Sequence, residues 1–133
     1  MIKQKYKVII VDDNQAYIDA VKTMLELRND LEVIGEANNG VEFLELLRKK
    51  SPDLVLMDIN MPGIDGLMAT KLGLIENWTM KIMGITMSDN PELHLNMLQL
   101  GFSGGILKNN FTSDFDKALN AIVNDGVYFP ILN

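Results

Sequence analysis

The sequence contains no cysteine, one histidine and one tryptophan among its 133 residues. Without cysteine the chain forms neither disulfides nor thiolate metal sites, which agrees with a reducing compartment. The single histidine, His94, cannot build a metal site from several imidazoles, and we interpret it as a surface or helix-packing residue. Trp78, at the end of a predicted helix, is expected to be a packing anchor.

Long apolar runs are also missing. No segment approaches the roughly 20 apolar residues that span a membrane. The amino-terminal MIKQKYKVIIV is basic, but its apolar run of four residues is shorter than the ~7–15 residues of a secretory signal. We therefore expect a cytoplasmic location and no membrane partner.

Positive charge is in short supply, with 12 basic against 18 acidic residues and a net charge of −6. Such a chain repels phosphate backbones, so we predict no direct nucleic-acid binding; the simpler use of the charge is solubility. The composition, 47% hydrophobic and 23% charged, is that of an ordinary globular protein. No linker, repeat or low-complexity segment interrupts it, and one domain over 1–133 is predicted.

Apolar patterning alternates between strand and helix along the chain. The run Val8–Val11 is β-branched and apolar on both faces, which is typical of a central parallel strand. Residues 31–37 alternate apolar and acidic positions, as a half-exposed edge strand does. Strands are predicted at 8–11, 31–37, 54–57, 82–85 and 105–107, and helices at 14–28, 40–50, 66–77, 91–100 and 113–124. This order predicts an α/β fold, a doubly wound five-stranded parallel sheet with helices on both faces.

The helical faces follow from spacing. The first helix is expected to bury Tyr17, Val21, Met24 and Leu25, the second Val41, Leu44 and Leu47, and the last Phe115, Ala118, Leu119, Ile122 and Val123. Gly73 is expected to interrupt the third helix, and Gly126 to end the last one. The apolar tail 127–132 is expected to be a strap packed on the body, following a core of about 6–125.

Polar residues follow the central strands at their carboxyl ends, where open parallel sheets bind ligands. They are Asp12 and Asp13, Asp58, Thr86 and Lys108. Each has an ordinary alternative: Asp12 and Asp13 could cap a helix, Asp58 could start the turn at Pro62-Gly63, and Thr86 and Lys108 could be plain strand-end residues. Their coincidence at one rim favours a site.

Carboxylates held together repel each other, and a hard cation such as Mg²⁺ relieves that repulsion through oxygen ligands. A carboxylate can also act as a nucleophile and form an acyl phosphate. A lysine offers a point charge for phosphate oxygens, and a threonine offers a hydroxyl donor. This set therefore suits phosphoryl transfer, which needs mainly positioning and charge neutralisation.

The segments VIIVDDN (8–14), PDLVLMDINMPGIDG (52–66), ITMSD (85–89) and GFSGGILKNN (101–110) resemble the receiver domains of bacterial two-component response regulators. The resemblance covers 6–125 and implies a flavodoxin-like sheet of strand order 2-1-3-4-5. It also implies that Asp58 accepts phosphate from a sensor histidine kinase or phosphotransfer protein. Asp13, Asp58 and the backbone carbonyl of Asn60 would then hold Mg²⁺, with Asp12 assisting through water.

The same resemblance implies that Lys108 pairs with the phosphate and that Thr86 bonds a phosphoryl oxygen and draws its loop inward. The surface of the fourth and fifth units, about 90–124, would read out the switch. A homodimer formed on phosphorylation is an open alternative. The chain would catalyse only its own phosphorylation and dephosphorylation and would not be an enzyme acting on other substrates.

Three positions depart from the receiver pattern. Met87 replaces the usual small residue and could narrow access to the site. Gly105 stands where many receivers carry an aromatic residue that rotates with the threonine, and Asn109 replaces a common proline, which makes a cis peptide less favourable. We hypothesise that the output surface responds through loop 86–90 without an aromatic rotamer change.

The tail segment GVYFP (126–130) resembles the close of receivers that carry helix-turn-helix output domains. We expect a receiver excised from a DNA-binding regulator, with a stand-alone domain as the alternative. A pseudo-receiver, a binding module no longer switched by phosphate, is a second possibility that Met87 and Gly105 motivate. A Mg²⁺-dependent phosphatase or nucleotide-binding enzyme is a third, although the turn DDNQAY has no glycine to cradle a pyrophosphate.

Overall fold

The structure, a computed structural model, describes residues 4–133; the first three residues of the predicted domain and of its basic amino-terminal segment lie outside the described residues. The strands are β1 (Tyr6–Val11), β2 (Leu31–Ala37), β3 (Leu54–Asp58), β4 (Lys81–Thr86) and β5 (Gly104–Leu107). The helices are α1 (Gln15–Glu26), α2 (Gly40–Leu47), α3 (Gly66–Glu76), α4 (Pro91–Leu100) and α5 (Phe111–Val123). Short 3₁₀ turns occupy Lys108–Asn110 and Pro130–Leu132.

The five strands form one parallel sheet in the order β2-β1-β3-β4-β5. This confirms the predicted doubly wound fold and the edge position of β2. The order reverses between β1 and β3, and ligands of such sheets bind at the carboxyl edge near that reversal. Among the described residues, no helix is long and apolar enough to cross a membrane.

Successive residues of β1 face opposite sides of the sheet and enter two separate cores, because side chains alternate along a strand. Val8 and Ile10 pack with buried side chains of α1 and α5. Ile9 and Val11 pack with buried side chains of α2, α3 and α4. The central strands are apolar throughout because helices cover both of their faces.

Three of the predicted helix faces each included one residue that is exposed. In α1 the fully buried residue is Ile18, whereas Met24 is 37% exposed. In α2 Phe43 is buried and Val41 lies outside, and in α5 Val123 is exposed. Each misplaced residue lies at the edge of its apolar stripe, where a flat sheet does not reach it.

One glycine prediction was wrong, and two were confirmed. Gly73 does not interrupt α3, because it lies inside a continuous helix where a Cβ would meet the Phe43 ring at 2.9 Å. The last helix ends at Val123, one residue before its predicted end, and the Gly126 N–H closes it by donating to the Ala121 carbonyl at 2.8 Å, while Asp125 adopts the left-handed conformation (φ 63°). Gly101 does end α4 as predicted, with φ 106°.

The tail forms the predicted strap, defined here as residues 127–132. The Tyr128 N–H donates to the Ser103 carbonyl at 2.9 Å, and the Gly105 N–H donates to the Tyr128 carbonyl at 2.9 Å. Tyr128 thereby forms a parallel bridge with Gly104 along the free edge of β5. Phe129 is buried in the core on the α4 side of the sheet.

Candidate functional site

Strand register brings the predicted acids together. Val11 of β1 pairs with Met57 of β3, so Asp12 and Asp58 follow side by side at the carboxyl edge. Both side chains are buried, Asp12 being 2% and Asp58 4% exposed, while Asp13 is exposed. One carboxylate oxygen from each of these three aspartates lies within 4.8 Å of the others.

Lys108 reaches this cluster from the turn after β5. Leu107 pairs with Thr86 of β4, which places Lys108 one residue beyond the end of the sheet. Its ammonium lies 2.8 Å from Asp12 Oδ2, and its side chain is only 16% exposed. A desolvated pair of this kind holds the ammonium much more firmly than a surface salt bridge would.

The electrostatics of the cluster fall mainly on Asp58. Burial, followed by the neighbouring charge of Asp12 and that of Asp13, raises the pKa of the Asp58 carboxyl to about 7. Lys108 and the Asn60 N–H, which donates to Asp58 Oδ1 at 3.2 Å, oppose the shift. Asp58 is therefore an acid whose ionised form is costly unless another cation comes close.

The segment after Asp58 folds back so that α3 starts against it. A Cβ on Gly66, the first residue of α3, would lie 2.2 Å from the Asp58 carbonyl oxygen. Only glycine permits this approach. The Asp65 side chain caps the helix by accepting from the Met68 N–H at 2.9 Å, and Gly63 provides the turn with φ +78°. The turn leaves Asn60 exposed beside the cluster.

Thr86 ends β4 and is fully buried. Its hydroxyl oxygen accepts from the Ser88 N–H at 3.1 Å, so the hydroxyl proton stays available for another acceptor. The Ser88 carbonyl in turn lies 2.8 Å from His94 Nε2 of α4. His94 is completely buried, which corrects its surface interpretation and confirms the packing one. Met87 between them is 61% exposed.

Tyr17 of α1 belongs to the site, although sequence reasoning assigned it only to packing. Its ring centroid lies 4.4 Å from Lys108 Nζ, and its buried hydroxyl has no hydrogen-bond partner among the described residues. An aromatic residue on the first turn after the acidic pair was a signal that could have pointed to this contact.

A second residue that the sequence did not place is Phe129 of the strap. A Cβ on Gly105 would lie 2.8 Å from Phe129 Cδ1 and 3.0 Å from Met97 Cε. The volume beside Gly105 is therefore filled by an aromatic ring from elsewhere in the chain. The segment described contains no cis peptide bond, at Asn109 or at any other residue from 4 onward.

The donor set of the cluster consists of carboxylate oxygens from three aspartates, and its single lysine neutralises only one of them. Hard cations such as Mg²⁺ take oxygen ligands and bind through one or two carboxylates with several waters. The raised pKa of Asp58 is a physical sign that a further positive charge would be favourable here. The residues present therefore fit a divalent cation.

Residues 8–120 match the response regulator receiver domain family. A putative transcriptional regulator of Pseudomonas aeruginosa is 37% identical over 125 residues, 93% of this chain and 59% of the relative. The transcriptional regulatory protein DegU of Brevibacillus brevis is 31% identical over 127 residues, 95% of this chain and 53% of the relative. The chain thus spans little more than half the length of these curated relatives.

Solved structures of receiver domains have the same fold as this chain. The isolated receiver domain of RcsB from Salmonella enterica serovar Typhimurium, in the presence of the phosphomimetic BeF₃⁻, superposes with a TM-score of 0.87 at 26% identity. That match covers 97% of this chain and 96% of the RcsB domain.

Proposed function

Because the chain belongs to the response regulator receiver domain family, a family of phosphorylation-based signalling, we propose that Asp58 is its phospho-acceptor. An Asp58 carboxylate oxygen forms a bond to phosphorus while the bond from phosphorus to the donor breaks and the donor leaves with that electron pair. The observation that carries the proposal is the cluster itself: Asp58 is buried beside Asp12, and Asp12 holds Lys108 at 2.8 Å.

Two further residues take the roles expected for them. Lys108 already lies at the cluster with its ammonium on Asp12, and it pairs with phosphoryl oxygens once they arrive. Thr86 keeps its hydroxyl proton free, because the Ser88 bond uses only the oxygen as acceptor. That proton is donated to a phosphoryl oxygen on Asp58.

Asp12, Asp13, Asp58 and the Asn60 carbonyl are the residues that would hold Mg²⁺. When bound, the ion would neutralise carboxylate charge and orient the phosphoryl oxygens. Asp13 would offer a carboxylate oxygen to the ion and Asp12 would assist through water, and both aspartates repel Asp58 when no cation is present. Phosphorylation is therefore expected to require a divalent cation.

The test uses acetyl phosphate and Mg²⁺ with detection of the intact protein mass. We expect one phosphoryl adduct that Asp58→Asn abolishes and that a chelator prevents. Asp65→Asn is the matched control. It makes the same chemical change at the N-cap of α3, and asparagine caps a helix as well as aspartate does. An adduct that survives in Asp58→Asn would refute the assignment.

The phosphoryl donor in the cell is proposed to be a sensor histidine kinase or a phosphotransfer protein, and the cytoplasmic location stays a prediction. A homodimer on phosphorylation and control of DNA through an output domain beyond this chain are proposed from the relatives. One solved structure describes two RcsB dimers bound to two parallel DNAs. Size measurement with and without the phosphoryl mimic tests the dimer.

The pseudo-receiver alternative gains no support, because the aspartates, Thr86 and Lys108 are all present at one edge of the sheet. The family is a signalling family and not a family of enzymes with external substrates. That the chain turns over no added phosphoester stays a prediction. The absorbance of the product released from a chromogenic phosphoester checks it.

A further inference from the structure

The Lys108 ammonium has two neighbours, and only one of them is an acid. On one side it lies 2.8 Å from Asp12 Oδ2. On the other it lies over the face of the Tyr17 ring, 4.4 Å from the centroid. The ring is itself held, because it meets Phe111 edge-on at 6.3 Å and 81°. The ammonium is thus confined between a carboxylate and a fixed aromatic face.

This second contact has a physical consequence for a lysine. The lysine side chain is a flexible stem with a strongly hydrated head, and it loses many rotamers when it is held in one place. The face of an aromatic ring attracts a cation, and the attraction grows when water is excluded. An aliphatic residue at position 17 would fill the space but would not attract the ammonium.

We propose that Tyr17 is a positioning residue for phosphorylation of Asp58, because its ring holds the Lys108 ammonium at the acid cluster. The inference rests on the proposed function. The hydroxyl is not needed for it, since cation attraction comes from the ring face. Burial, together with Asp12 and Asp58, raises the pKa of the Tyr17 hydroxyl, so the ring carries no charge at neutral pH.

The experiment compares Tyr17→Phe, Tyr17→Leu and Val21→Ala in the initial rate of phosphorylation by acetyl phosphate with Mg²⁺. Val21 is buried on the same helix and serves as the control for a loosened α1. We expect Tyr17→Leu to slow the reaction about threefold to tenfold, while the other two stay within about twofold of the wild type. The Lys108 methylene protons should also lose a ring-current shift in Tyr17→Leu only.

An unchanged rate in Tyr17→Leu overturns the inference, as does an equal loss in Val21→Ala, which would make the effect structural. A loss in Tyr17→Phe equal to that in Tyr17→Leu would assign the effect to the hydroxyl and would also overturn it. Failure of the wild type to accept phosphate would instead refute the proposed function. The two failures are therefore distinguishable.

A separate observation concerns the strap, whose Phe129 fills the volume beside Gly105. Contacts link this ring to the acceptor site. Thr86 holds Ser88 by its hydroxyl oxygen, and Ser88 holds His94 of α4 by its carbonyl. Met97, one turn further along α4, lies in the same core cluster as Phe129, and a Cβ on Gly105 would be within 3.0 Å of both side chains. A shift of Thr86 towards a phosphoryl group thus moves Ser88, α4 and the support of Phe129.

We infer that the strap reports phosphorylation, with Phe129 supplying the aromatic ring that position 105 lacks. The two backbone bonds that join Tyr128 of the strap to Ser103 and Gly105 are the ones that would loosen. This inference also rests on the proposed function. In this inference the response to phosphorylation is a change in how firmly residues 127–132 bind the edge of the sheet, and no aromatic side chain at position 105 has to change its rotamer.

Hydrogen exchange at the Tyr128 amide, which donates to Ser103, is the direct readout. With Mg²⁺ and beryllofluoride we expect this amide to exchange about threefold or more faster than without them, and Asp58→Asn to abolish the response. Gly105→Ala should speed the exchange without any mimic, because its methyl would lie 2.8 Å from Phe129 Cδ1. Gly35→Ala is the matched control, because its methyl would meet the Leu46 side chain at 2.9 Å on β2, at the opposite edge of the sheet from the strap.

Unchanged exchange at Tyr128 in a protein that carries the mimic would overturn the inference and leave the acceptor role of Asp58 intact. Equal effects of Gly35→Ala and Gly105→Ala would overturn it as well, since they would not depend on Phe129. Binding of the mimic is checked separately by its loss in Asp58→Asn.

Discussion

Replacing Asp58 with asparagine should stabilise the metal-free protein against unfolding at pH 7. Burial, with Asp12 next, raises the pKa of the Asp58 carboxyl to about 7, from an ordinary value of about 4. Each unit corresponds to about 1.4 kcal/mol. The charged carboxylate therefore costs the folded state about 2–4 kcal/mol at pH 7, the lower figure allowing for water that reaches the cluster. Asparagine keeps the volume and the acceptor for the Asn60 N–H.

The sign of the pH dependence follows from proton linkage. Between about pH 4 and pH 7 the folded state binds more protons at Asp58 than the unfolded state, so stability falls as the pH rises through that range. Above pH 7 the Asp58 carboxyl is ionised in both the folded and the unfolded state, so its cost to the free energy of folding no longer changes with pH. The advantage of Asp58→Asn should accordingly be largest at and above pH 7 and should shrink towards zero near pH 4.

The assay is denaturant and thermal unfolding of both proteins in the presence of a chelator, at several pH values between 4 and 8. For a chain of this length the expected gain corresponds to about 6–12 °C in Tm. Asp89→Asn, at an exposed position on the loop after β4, removes the same charge and should change little. If Asp58→Asn is no more stable than the wild type at pH 7, or if its gain does not depend on pH, the ionised Asp58 carboxylate does not destabilise the folded state.

Three further predictions concern the neighbourhood of the site. Gly66→Ala should destabilise the fold by about 3 kcal/mol or more, because its Cβ would lie 2.2 Å from the Asp58 carbonyl oxygen; a normal denaturation midpoint would contradict this. Asn90→Ala should cost about 1 kcal/mol, because it removes the cap that accepts from the Glu92 N–H at 3.0 Å, and Asn90→Ser should recover most of the loss in the same assay. Added Mg²⁺ should raise the Tm of the wild type in proportion to the logarithm of its concentration but should leave Asp58→Asn with a much smaller increase.

The sheet and the acid cluster could be predicted because both follow from local pattern and parallel register. Short β-branched runs between amphipathic segments leave little choice but a parallel sheet. Once strands are parallel, residues that follow them meet at one edge, as Asp12 and Asp58 do through the pairing of Val11 with Met57. No knowledge of side-chain packing was needed for that step.

Predictions that depended on which side chain fills which space were less successful. Trp78 was expected to anchor packing, but it is 81% exposed, since nothing in the sequence shows whether a helix end faces the body. Gly73 was expected to break α3, but it gives room to the Phe43 ring. Both errors arise because contacts between different helices and strands produce no repeating pattern of apolar residues in the sequence.

The departure at Gly105 shows the same limit more sharply. The sequence shows that position 105 has no side chain. On that ground alone, one would expect no aromatic ring beside Thr86 to respond when Thr86 moves. In the structure the volume is occupied, because the strap returns along β5 and inserts Phe129 there. The compensating residue lies 24 positions away, as the numbers 105 and 129 give directly.

The costly charge at Asp58 and the contacts leading away from it belong to one arrangement. The ionised Asp58 carboxylate costs the folded state about 2–4 kcal/mol, so the site already carries more negative charge than its surroundings offset. A phosphoryl group adds negative charge and new acceptors beside Lys108 and Thr86, so both must move or rebond. If Thr86 moves, the Ser88 N–H that donates to its hydroxyl oxygen moves with it, and the Ser88 carbonyl lies 2.8 Å from His94 Nε2. His94→Ala should therefore leave phosphorylation of Asp58 intact while it weakens the exchange response of the strap.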